Sequence, residues 1–132
     1  MIHDEICTYE VCKLSKEKGF DWMPSMYFHS GVESDLRVVG VNGANPNKLP
    51  YSPHISCPTQ TQLQRWLREE KGLCVSVEAY PTLAIMRNVC FAWVIKSGSD
   101  GHFMESNDSL QTFSTYELAL EDALKYALEN LT

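Results

Sequence analysis

The stretch Cys57–Leu73, CPTQTQLQRWLREEKGL, decides how the remaining chain is read. Thr59 followed three residues later by Gln62 has the spacing of a capping box, in which the hydroxyl accepts from the Gln62 amide and the Gln62 side chain returns to the cap. A helix is therefore expected to start at Thr59. Leu63, Trp66 and Leu67 share one side of it, while Gln62, Arg65, Arg68 and Glu69 point elsewhere. Gly72 can take the left-handed conformation that ends a helix, and Leu73 beyond it is placed to fold back on Leu67.

Working outward, Leu73 to Tyr80 alternates: Leu73, Val75, Val77 and Ala79 face one way, and Cys74, Ser76, Glu78 and Tyr80 the other, as in a half-buried strand. Val89 to Ile95 carries apolar residues on both faces, which predicts a central strand covered on both sides. SGSDG after it is a strong turn signal, with His102 to Ser106 as the partner strand and Pro81 to Arg87 as the link between the first two. Ser114 with Glu117 forms a second capping box flanked by Phe113 and Leu118 in staple positions. Tyr116, Leu120, Ala123, Leu124, Ala127, Leu128 and Leu131 then form an apolar stripe, with Glu121, Asp122, Lys125 and Glu129 on the wet side.

Toward the N-terminus, Thr8 is the expected cap of a helix reaching Lys18, with Val11, Cys12, Leu14 and Ser15 inward and Gly19–Phe20 as its stop. Met26 to His29 and Leu36 to Val41, joined by SGVESD, read as a hairpin. Asn42 to Pro58 is rich in Asn, Pro, Gly and Ser and has no period, so it reads as a long loop, functional or mobile. The expected fold is a small α+β domain of order α-β-β-α-β-β-(β)-α, with helices packed on antiparallel sheet. It is expected to be one domain over 1–132, with a subdivision into 1–56 and 57–132.

A chain of 132 residues, 44% hydrophobic and 21% charged, suits one globular core. It contains no long apolar run, and MIHDEICTYE carries acids where a signal peptide carries bases, so the expected location is the cytoplasm, with no membrane contact. Cys7, Cys12, Cys57, Cys74 and Cys90 form an odd set without a CxxC pair, which points to reduced, mostly buried thiols and not to disulfides or a zinc knuckle. The net charge of -6 is shared: residues 1–56 hold five Lys/Arg against seven acids, and 57–132 hold six against ten. Neither half offers the basic stripe that phosphate binding requires, so direct nucleic-acid binding is not expected.

The PTQ-containing segment with its WLRE, together with the closing TYELALEDALKYAL and the KEKGF at Lys16–Phe20, resembles a group of small uncharacterised proteins from gut anaerobes and their phages. These share a "PTQ…WLRE" helix and a C-terminal "TYEEAL" helix. The resemblance touches both ends of the chain and not the segment Met23–Ser56. It implies a setting in mobile elements or prophage, and no residue roles.

Candidate chemistry is sparse. Cys57 lies just before a helix N-terminus with His54 three residues away, a conceivable Cys/His nucleophile, although no third group is in place to orient the imidazole. His3 and Cys7 have the spacing of two ligands on a helix but precede the cap, and His29, His54 and His102 stand isolated in sequence, so neither metal nor cofactor is expected. The helix–three strands–helix order is shared with double-stranded RNA-binding domains, but STYELALED stands where those domains carry basic residues. Arg65, Arg68, Lys71 and Arg87 read as solvated charges. Trp22, Tyr51 and Tyr80, in or beside loops, are the candidate contacts for a partner. The leading expectation is a non-enzymatic accessory or protein-interaction module. The alternatives are an acidic decoy of a nucleic-acid-binding protein and a Cys57-dependent enzyme, and a homodimer is compatible with the sequence.

Overall fold

The computed structural model describes residues 5–40, 43–47, 53–81, 89–98, 101–107 and 112–132. The element order is α1 (Tyr9–Glu17), β1 (Met26–Phe28), a 3-10 turn (His29–Gly31), β2 (Leu36–Val38), β3 (Ile55–Cys57), α2 (Gln60–Lys71), β4 (Leu73–Pro81), β5 (Val89–Ser97), β6 (Phe103–Ser106) and α3 (Tyr116–Asn130). This is an α+β fold with two antiparallel three-stranded sheets, ordered β2-β1-β3 and β4-β5-β6. The chain divides into two compact units, Met1–Trp66 and Leu67–Thr132, with the boundary inside α2.

In the first unit Thr8 caps α1, its hydroxyl accepting from the Val11 amide at 3.4 Å. Gly19, at φ +95°, ends the helix in a full Schellman turn: Phe20 N–H donates to Ser15 O at 2.9 Å and Gly19 N–H to Lys16 O at 3.1 Å. Phe20 is thereby delivered to the core, where its ring meets Trp66 edge-on at 5.5 Å. Thr59 caps α2 as its spacing predicts, with Gln62 N–H on its hydroxyl at 3.1 Å. The Gln62 side-chain amide donates to the Met23 carbonyl at 2.9 Å.

The segment 42–58 is not structureless. Ile55–Cys57 forms β3, pairing with β1 and fully buried. Ahead of it, the Asn47 side chain donates to Phe20 O at 2.7 Å and accepts from Ser56 N–H at 2.9 Å, while Asn45 donates to Asp21 O at 2.6 Å. Residues that read as loop composition therefore fasten residues 45–47 to the end of α1 and to β3.

In the second unit β4 and β5 pair along their whole length, from Leu73 opposite Ser97 to Pro81 opposite Val89. Packed on them, α3 buries Ala119, Leu120, Ala123, Leu124, Ala127 and Leu128 against a face that includes Leu73, Val75, Trp93 and Ile95. The opposite face of β5 is less covered than expected: Cys90, Ala92 and Val94 are only half-buried. Gly72, at φ +67°, takes the left-handed conformation at the end of α2, and its carbonyl accepts from Gly98 N–H at 2.6 Å.

The α3 cap is Thr115, not Ser114; its hydroxyl accepts from Leu118 N–H at 3.1 Å. Phe113 is held extended by a two-bond bridge to Phe91, 2.9 Å each way, which defers the helix by one residue. With Thr115 as cap the staple positions fall on Ser114 and Ala119 instead of Phe113 and Leu118, and Leu118 is 53% exposed. Asp122 is not merely a solvating charge either, since its carboxylate accepts from the buried Trp93 indole at 2.9 Å. Nearby, Tyr126 donates to Glu105 at 3.0 Å, and that bond, with burial, pushes the phenol pKa above its ordinary value.

Among the described residues no helix is long and apolar enough to cross a membrane. None of the five cysteines is in a disulfide, and Cys7, Cys12 and Cys57 are buried.

Candidate functional site

Antiparallel pairing of β1 with β3 sets Met26 opposite Cys57, Tyr27 opposite Ser56 and Phe28 opposite Ile55. Side chains alternate along a strand, so Phe28, Ile55 and Cys57 share one face, and Tyr27 and Ser56 the other. The first face packs toward α1: Tyr9 meets the Phe28 ring edge-on at 5.0 Å. Carrying the register one residue further puts His29 across from His54 on the second face. Their rings lie 4.7 Å apart with a 34° tilt, and Tyr27 stands edge-on to His54 at 5.2 Å and to His29 at 6.0 Å.

Tyr27 and His54 wall a half-open cleft of about 170 Å³ completed by Val39, Gly40, Gly43, Ala44 and Pro46. Gly43 N–H donates to Gly40 O at 2.8 Å. A Cβ at Gly43 would stand 2.8 Å from Val39 Cγ1 and 3.0 Å from Gly40 O, so a larger residue there would force this wall to shift. Val38, next to the cleft-lining Val39, is 72% exposed.

Charge around the cleft is arranged with care for His54. Its Nδ1 accepts from Ser30 N–H at 2.8 Å, which places the proton of the neutral ring on Nε2. Its carbonyl accepts from Lys16 Nζ at 2.6 Å. Burial first, then the proximity of His29, Lys16 and Arg37, holds the His54 pKa below the ordinary imidazole value. Burial likewise lowers that of Lys16. Arg37 grips Asp35 with two bonds, 2.9 and 3.1 Å, which hold its carboxyl below the usual range. Among the described residues two buried side-chain polar atoms lack a hydrogen-bond partner, His29 Nδ1 and Ser56 Oγ, and both belong to this face of the sheet.

The sequence candidates fall as follows. Cys57 is on the α1 face, 2% exposed, its thiol donating to the Cys7 carbonyl at 3.7 Å; His54 is on the opposite, cleft face. His29 and His54, isolated in sequence, are brought together, whereas His102 lies in the second unit. Trp22 is half-buried with the Arg65 guanidinium 5.9 Å above its ring, so this arginine is a stacking partner and not only a solvated charge. Tyr80 lies on β4, and its side chain is outside the described residues, as are Tyr51, His3 and Arg87. Among the described residues no group of three or more His, Cys, Asp and Glu is placed to hold a metal ion.

Sequence reasoning missed Tyr27 and His29 as site residues. Their i, i+2 spacing in a predicted strand already put them on one face; what was missing was β3, which supplies His54. No family model, curated protein or solved structure matches this chain.

Proposed function

We propose that the chain is a non-enzymatic accessory module that binds another protein, and that the Tyr27–His54 cleft receives one side chain of that partner. The observation that carries this is the size and lining of the cleft. At about 170 Å³ it is near the volume of a cavity that admits a benzene ring and well below the range of sites for larger ligands. Two aromatic rings, Val39, Ala44 and Pro46 make its wall, the chemistry that anchors an aliphatic or aromatic side chain at an interface. The two unpartnered polar atoms, His29 Nδ1 and Ser56 Oγ, lie on the same sheet face as the cleft. The resemblance to proteins of gut anaerobes and their phages gives such a partner its setting, a host or phage protein.

The test is selection of peptides from a random displayed library against the intact chain, followed by calorimetric titration of the recovered sequences. Peptides sharing one bulky apolar residue should bind wild type and lose at least about ten-fold in affinity to Ala44→Trp, a change at an exposed wall position that occludes the cleft. Recovered peptides that bind both proteins equally would remove the cleft from the account.

A further inference from the structure

The 3-10 turn after β1 contains Ser30 at φ +54°, the one non-glycine residue with positive φ among those described. Such backbone is costly for a side-chain-bearing residue and persists where its surroundings hold it. Three contacts do so here, one of them the Tyr9 hydroxyl, which donates to Gly31 O at 2.8 Å. Gly31, at φ +70°, lies so near Pro53 that a Cβ would stand 2.8 Å from its carbonyl oxygen. Ser30 N–H donates to His54 Nδ1. The strained turn is thus shut against the residues leading into β3, and one of its three fastenings is an imidazole nitrogen that can accept only while unprotonated.

We propose that His54 is an acid-released latch: its neutral Nδ1 holds the left-handed Ser30 turn closed, and protonation of that nitrogen frees the turn and reshapes the cleft that Tyr27 and His54 wall. The groups facing His54 favour release once a proton arrives. Lys16 comes from α1, Tyr27 from β1, His29 from the 3-10 turn stacked on the ring, and Arg37 from β2, where the Arg37 guanidinium is bonded to Asp35. An imidazolium at position 54 would be repelled by three cationic or protonatable neighbours and would lose its bond to Ser30. Because the folded-state pKa is depressed, this contribution to stability is complete above about pH 6.5, the unfolded value, and is lost as pH falls through the lowered one. Binding control by the latch rests on the cleft reading above; the latch itself does not.

The readout is hydrogen exchange at Val32, whose N–H donates to His29 O at 3.1 Å and closes the turn. Exchange, corrected for its intrinsic pH dependence, should accelerate as pH falls from about 6.5, by up to about ten-fold per unit, and level off once the His54 midpoint seen in its ring resonances is passed. In His54→Gln the side-chain oxygen can accept from Ser30 N–H and does not titrate, so Val32 exchange should stay nearly flat over the same range. A flat wild-type profile while His54 takes up its proton, or identical profiles in both proteins, overturns the latch. Selected peptides should bind several-fold more weakly below the midpoint. Equal binding above and below it overturns the link to the cleft and leaves the latch standing. Absence of peptide binding at every pH, with the Val32 profile as described, overturns the cleft reading alone.

Discussion

Replacing Gly31 with alanine should cost the first unit considerably more than replacing Gly72 costs the second. The two glycines have nearly the same backbone, φ +70° and +67°, so both substitutions pay the left-handed penalty of about 1–2 kcal/mol. Their surroundings differ. A Cβ at Gly72 meets nothing within 4 Å, whereas one at Gly31 stands 2.8 Å from the Pro53 carbonyl oxygen and 3.7 Å from Ile55 Cδ1. A backbone carbonyl cannot swing aside as a flexible side chain does, so Gly31→Ala adds about 1–3 kcal/mol of overpacking. It also disturbs the neighbouring His54 and hence the Ser30 bond. The expected totals are about 2–5 kcal/mol at Gly31 and about 1–2 kcal/mol at Gly72. Urea titration with resolved amide signals separates the units, which whole-chain fluorescence does not, because Trp22 and Trp66 belong to one and Trp93 to the other. Losses equal within about 0.5 kcal/mol would show that close approach to Pro53 does not hold this turn.

Four further substitutions test the packing. Thr115→Ala should lose about 1 kcal/mol by urea denaturation while Ser114→Ala is nearly neutral, since the Leu118 amide bonds to Thr115; the reverse ranking would restore the cap to Ser114. Asp122→Ala strands the buried Trp93 indole N–H and should cost about 1–3 kcal/mol, with a change in Trp93 emission as the second readout. Asn47→Ala removes a donor to Phe20 O and an acceptor for Ser56 N–H, so a loss of about 1–3 kcal/mol with faster exchange at the Ser56 amide is expected; an unchanged Ser56 amide would contradict the fastening role.

What could be read from sequence is what short-range rules govern. Thr8 with Gly19 and Thr59 with Gly72 mark helix ends because caps and left-handed stops act within a few residues. The alternation of β4 shows because it runs long enough to have a period. Ile55–Cys57 is too short for that and sits among Pro and Asn, so β3 was invisible, and with it the register that sets His54 against His29. Asn47 looks like a turn former, yet its partners, Phe20 and Ser56, lie 27 and 9 residues away. Ser114, with Glu117 three residues on, is the better cap in isolation; the long-range bridge between Phe113 and Phe91 moves the cap to Thr115. Asp122 reads as wet because helical period assigns faces, not hydrogen bonds to an indole edge.

The most direct test of the cleft is amide and methyl chemical-shift mapping of the intact chain as a selected peptide is added at pH above the His54 midpoint. The account predicts the largest changes at Tyr27, Val39, Gly40, Gly43, Ala44 and His54, with Ala44→Trp suppressing them. Changes centred instead on the exposed Phe103 and Met104 of β6, with the cleft resonances unmoved, would contradict it.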